Sequence, residues 1–179
     1  MRATGRYRLL NLVVQIMMIT SCSLILGTFK VNVPDVPPLI YFALTGTAYG
    51  SMLTIMLISL IAAVEHKYQA VITSASYAFR STGSTIGITI ASAVFQNLLK
   101  KGLYERFSDM PGAEDEIRRI RDNVDEVKRL GPAWHDGAIE AYVDALRGVW
   151  VVVLGFAIMT SFVSFFVREQ TLHKNLERK

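Results

Sequence analysis

One guanidinium, Arg80, interrupts thirty residues, 70–99, that otherwise carry no charge. Around it Ser76, Arg80, Gly83, Gly87 and Ala91 follow one another at intervals of four, three, four and four, which places them on one stripe of a helix. The chemistry open to that stripe is electrostatic. A fixed cation among hydroxyls and small residues can hold an anion or pair with a carboxylate on a neighbouring helix. Nucleophilic or metal-assisted catalysis lacks its base, because no Asp, Glu or His lies in the run to activate a hydroxyl. Gly83 and Gly87 lie inside an apolar run with no Lys-Ser or Lys-Thr pair after them, so they do not read as a phosphate loop. No enzyme, cofactor or metal is expected.

The element that positions Arg80 is one of four apolar runs, 9–29, 39–63, 70–99 and 148–167. A hydrophobic fraction of 51% and a positive mean hydropathy of +0.34 are high for a soluble domain, and the apolar residues come in blocks. At about 1.5 Å per residue the first run alone covers roughly 31 Å, the thickness of a hydrocarbon core. The fold class expected is therefore an all-α membrane protein of four transmembrane helices arranged as two antiparallel hairpins. An Arg at the centre of such a helix costs roughly 2.5–3.5 kcal/mol against lipid, so it faces protein or a watery cavity. That points to a solute pathway, with Ser76, Gly83 and Gly87 beside it. The bland alternative places Arg80 nearer the cytosolic interface, where a long side chain snorkels.

Charge sets the orientation. Arg2, Arg6 and Arg8 precede the first run, and Arg168, Lys174, Arg178 and Lys179 follow the fourth against only Glu169 and Glu177. Both termini, 1–8 and 168–179, are predicted cytosolic. The segment 100–147, with nine basic and eleven acidic residues, then falls on the far side. Within it Ile117, Ile120, Val124, Val127 and Leu130 recur at helical spacing, with Glu114, Asp115 and Glu116 in the first turn and Lys128 and Arg129 in the last. This predicts one amphipathic helix stopped by Gly131-Pro132. A second helix is expected after Asp136, running into the last span. Its basic residues are interleaved with acids, which argues against a nucleic-acid partner.

Other features read as packing. Gly46 and Gly50, four apart in the second run, suit close helix approach. Cys22 stands alone, so no disulfide framework exists, and it reads as a small buried residue. The loop 30–38 carries three prolines and 64–69 is short, so consecutive spans are expected to be adjacent and antiparallel.

Three segments resemble the major facilitator superfamily, specifically the fungal drug:proton antiporter subgroup with fourteen spans, which includes vacuolar basic amino-acid permeases. The residues Met1-Arg2-Ala3-Thr4-Gly5-Arg6-Tyr7-Arg8 resemble a Gly- and Arg-rich cytosolic gating loop. Gln69 to Gly87, with Ser76-Tyr77-Ala78-Phe79-Arg80-Ser81-Thr82-Gly83 at its centre, is similar to the penultimate span, and the far-side helix with Ala141-Tyr142-Val143-Asp144-Ala145-Leu146-Arg147 to the approach to the final one. The resemblance implies the last part of the C-terminal bundle of an alternating-access carrier, with Gly5 and Arg6 bracing the cytosolic gate and Arg80 within the bundle. It also implies a small solute, basic amino acids or drug-like compounds, moved against a proton, and a vacuolar or other endomembrane location.

The chain departs from that pattern in one respect. None of the four runs contains Asp or Glu, whereas proton coupling needs a titrating group in the pathway. The reading is therefore of a truncated carrier that does not transport alone. The alternative is a non-transporting membrane protein that dimerises or associates, helix to helix, with a full-length carrier.

Overall fold

The structure, a computed structural model, describes residues 8–28, 36–110, 112–129 and 131–166. Five α-helices account for most of them: α1 (Arg8–Thr28), α2 (Val36–Ala62), α3 (Gln69–Phe107), α4 (Ala113–Asp122) and α5 (Pro132–Phe165). Two short 3-10 turns join them, His66–Tyr68 before α3 and Val124–Arg129 before α5. There is no strand among the described residues. The expected all-α membrane architecture is what forms.

Packing follows two pairs. α1 lies along α2 and α3 along α5, while α1 and α5 join the pairs. The short connection 63–68 brings α2 and α3 together, but over a smaller area. Three helices are long and apolar enough to cross a membrane: Arg8–Thr28, Leu39–Ala62 within α2 and Trp134–Phe165 within α5. The run 70–99 is wholly helical inside α3, yet α3 is not among those three. Its length is ample, and its hydroxyls and Arg80 dilute its apolarity.

α3 and α5, at 39 and 34 residues, are about 58 and 51 Å long, well beyond the roughly 30 Å of a hydrocarbon core. Their overhanging ends pack with α4 into a cap. Leu99, Leu103 and Phe107 from α3, Ile117 and Ile120 from α4 and Ala138, Ala141 and Ala145 from α5 form its buried core. Phe107 stacks on Trp134 with ring centroids 4.4 Å apart, and the Tyr142 hydroxyl donates to the Ile120 carbonyl. Ala138, Ala141 and Ala145 are small residues at spacings of three and four, which lets α5 approach α3 closely.

Two expectations for the cap are corrected. The single helix predicted from 117 to 130 breaks after Asp122, because Asn123 takes an extended backbone and its side-chain oxygen accepts from the Asp125 N–H at 2.9 Å. Such local side-chain bonding competes with helix continuation. Gly131-Pro132 opens a helix rather than closing one. Gly131 is the cap of α5 and Pro132 lies in its first turn, where its fixed φ suits a helix start and no N–H is missed. From there, ahead of the start expected after Asp136, α5 runs unbroken to Phe165.

Candidate functional site

Arg80 sits in the fourth turn of α3, and its guanidinium lies 4.6 Å from the centroid of the Tyr77 ring, one turn earlier. Residues 77–89 are exposed on all sides of α3. Phe79 is 81% exposed and Ile88 65%, so the rest of the chain covers little of this stretch. From residue 74 to 89, α3 also carries hydroxyls that bond backward to their own helix. Ser74 donates to the Ala70 carbonyl at 2.8 Å, Thr82 to Ala78 at 3.0 Å, Thr85 to Ser81 at 3.1 Å and Thr89 to Thr85 at 2.9 Å. Each hydroxyl proton is thereby used and its lone pairs remain outward. The face is a row of acceptors around one cation, open to a solute or to another helix.

The expected stripe is split by the fold. Gly87 and Ala91 reach a cavity of about 270 Å³ at the meeting of the four long helices, with Gln15 and Met18 of α1, Tyr49 and Met52 of α2, and Phe156 and Thr160 of α5. Ser76, Arg80 and Gly83 are not on its wall. Gly83 and Arg80 are exposed and Ser76 is half-buried. Gly46 and Gly50, expected at a helix contact, have nothing within 4 Å of the position a Cβ would take, and neither do Gly83 and Gly87. Within the described residues the close approaches lie instead at Gly102 against Ala141, Gly137 against Phe107 and Gly148 against Leu98. Gly5 and Arg6 lie outside the described residues.

The interior polar residues are ones that the apolar runs concealed. Gln15 is only 5% exposed, and its Oε1 accepts from Ser161 of α5 at 2.9 Å. One turn earlier, Asn11 donates to Ser164 at 2.5 Å. Asn11 and Gln15 are four apart and Ser161 and Ser164 three apart, so two short polar stripes face each other. That matching spacing was the available signal. A second cavity, of about 400 Å³, opens at the Arg8 end between α1, α2 and α5, and shares Gln15, Met52 and Thr160 with the first. These three side chains form the partition between the cavities.

The four apolar runs offer a cation, amides and hydroxyls but no Asp or Glu. Neither a family model nor a solved structure matches the chain. Curated relatives do. The multidrug resistance protein fnx1 of Schizosaccharomyces pombe is 32% identical over 99% of this chain and 34% of its own length. The chain resembles part of a major facilitator transporter. An MFS-type efflux transporter of Aspergillus flavipes is 29% identical over 74% of the chain and 24% of its own length. A vacuolar membrane amino acid uptake transporter of S. pombe, fnx2, is 27% identical over 71% and 22%. The chain thus spans about a third or less of the relatives it matches.

Proposed function

We propose that this chain is the C-terminal portion of a proton-coupled carrier of small solutes, basic amino acids or drug-like compounds, in which the outer face of α3 around Arg80 lines the pathway. The observation that carries this is the exposure of residues 77–89, which bear a lone cation and outward hydroxyl lone pairs. Carriers of this architecture place the solute between two helical bundles near the midplane, so a pathway face belongs on the outside of one bundle. The proton-coupling carboxylate and the partner for Arg80 would come from helices other than these. The two S. pombe relatives named for drug resistance and for vacuolar amino acid uptake support the solute class and an endomembrane location. The excess of Lys and Arg beside the first and last spans supports cytosolic termini.

The test is uptake of radiolabelled basic amino acids into vacuole-rich vesicles, comparing this chain alone, the chain joined to the N-terminal portion of a carrier, and the joined form bearing Arg80→Ala. Uptake is expected only in the joined form, and at least ten-fold lower with the substitution. Full uptake with Arg80→Ala removes Arg80 from the mechanism.

The same exposed face supports a second reading, in which the chain does not transport but associates with a full-length carrier or with itself through α3. Blue-native migration of the tagged chain decides between them. A larger complex that dissolves on introducing charge at Phe79 supports association, whereas migration only as a monomer removes it.

A further inference from the structure

On the far-side cap, α4 runs back along α3, and the two enclose a cavity of about 250 Å³ lined chiefly by Lys100, Tyr104, Glu114, Asp115, Arg118 and Arg121. Its charges run from a basic to an acidic end, with Arg118 between them. Arg121 reaches Gln96 of α3 at 3.4 Å, which sets it beside Lys100 at the end nearer the spans, while Glu114 and Asp115 occupy the first turn of α4 at the other end. Seven residues of helix separate Glu114 from Arg121, a rise of about 10 Å.

Several charges elsewhere on the cap are paired. Arg106 meets Asp144 at 2.8 Å and Glu140 at 3.7 Å, Arg119 meets Glu116 at 3.6 Å, and Lys101 meets Glu105 at 3.7 Å. Those lining the cavity are paired weakly or not at all. Among the described residues Lys100 has only the ring of Tyr104, at 5.8 Å. Glu114 makes no ion pair among the described residues, and Arg118 touches Asp115 only at 3.9 Å with both side chains largely exposed. Arg121 keeps a buried Nε with no hydrogen-bond partner, a donor whose desolvation is uncompensated.

The geometry points to a binding site for a short zwitterion, its carboxylate held by Arg121 and Lys100 and its ammonium by Glu114 and Asp115. A simple anion would leave the acidic end unmatched, and a simple cation would leave the basic end so. The cavity is below the roughly 300–1,000 Å³ that takes drug-sized ligands, which limits the occupant to a small molecule with separated charges. The site uses no residue of the proposed pathway face, and it stands whether or not the chain transports.

The test is calorimetric titration of the purified full chain in nanodiscs with 6-aminohexanoate, hexanoate and hexylamine. Saturable binding of 6-aminohexanoate is expected, with each singly charged analogue at least ten-fold weaker. Arg121→Gln and the exposed Lys100→Gln should each weaken 6-aminohexanoate at least ten-fold, and Glu114→Gln should weaken it while leaving hexanoate unchanged. Thermal melts of the variants check the fold, and Lys100→Gln, on an exposed side chain, keeps the test decisive if Arg121→Gln does not fold. Absence of saturable binding, equal binding of hexanoate or of hexylamine, or indifference to Lys100→Gln would overturn the assignment.

Discussion

Ser161 on α5 shares one hydroxyl proton between Gln15 Oε1 on α1 and its own helix at the Ala157 carbonyl, both at 2.9 Å. It is a polar contact between two helices that are otherwise apolar at that level, and it stands at the partition between the two interior cavities.

The contact should couple α1 to α5 measurably but weakly. Hydrogen bonds between membrane helices average about 0.6 kcal/mol and reach about 1.7 kcal/mol in double-mutant cycles, and here the donor has a second acceptor in its own helix. A cycle on Gln15→Leu and Ser161→Ala, read by detergent denaturation, is expected to return a coupling near the average. A value indistinguishable from zero would mean that the Ala157 carbonyl satisfies the hydroxyl alone.

Glycine substitutions should divide sharply between the cap and the spans. A Cβ at Gly137 would fall 2.6 Å from Cζ of Phe107, whose ring is buried and stacked on Trp134. Overpacking costs about 1–3 kcal/mol and helix propensity returns about 0.8–1.0 kcal/mol, so Gly137→Ala is expected to destabilise by about 1 kcal/mol and to shift Trp134 emission. At Gly46 and Gly83 nothing lies within 4 Å, and alanine there should raise the melting temperature of this chain slightly. If a carrier packs another helix on that face, the same Gly83→Ala should lower transport in the joined form.

How far the sequence could be read follows the range of the interaction involved. The apolar runs 9–29 and 39–63 coincide with α1 and α2 to within a few residues, because a long apolar helix shows in composition and length alone, whereas α5 begins sixteen residues before the run 148–167. The inward stripe of α3 was not legible: helical spacing says that Ser76, Arg80, Gly83 and Gly87 share a face, but not what lies opposite, and here only Gly87 meets the other helices. The break at Asn123 was hidden because the apolar period of Ile117, Ile120, Val124 and Val127 continues across it while the backbone does not. Asn11 and Gln15 were overlooked as isolated polar residues in an apolar run. Only their partners on α5, 146 and 153 residues away, make them a contact.

Cys22 provides a probe of α1 packing. It is fully buried beside Ser21, so the folded chain should resist a bulky maleimide and react fully once unfolded in sodium dodecyl sulfate. Labelling in the native state at the unfolded rate would place α1 outside the bundle. The Ser21 hydroxyl, bonded to the Met18 carbonyl at 2.9 Å, makes Ser21→Ala the companion variant, which should leave the protection unchanged.

Arg106 ties the overhanging ends of α3 and α5 together, reaching Asp144 at 2.8 Å, Glu140 at 3.7 Å and the Gly102 carbonyl at 3.2 Å. Its side chain is 29% exposed and both carboxylates are more than half exposed, so water screens the pairs and each falls in the range of about 0.2–1 kcal/mol for surface bridges. Arg106→Ala should therefore lower the melting temperature of the cap only modestly, followed by Trp134 fluorescence, and the loss should shrink in 1 M salt, where the screening length is about 3 Å. Arg106→Lys should recover only part of it, since an ammonium cannot reproduce the planar fork that spans Asp144 and the Gly102 carbonyl. An effect independent of salt would assign the role of Arg106 to its aliphatic stem packing over Gly102 rather than to its charge.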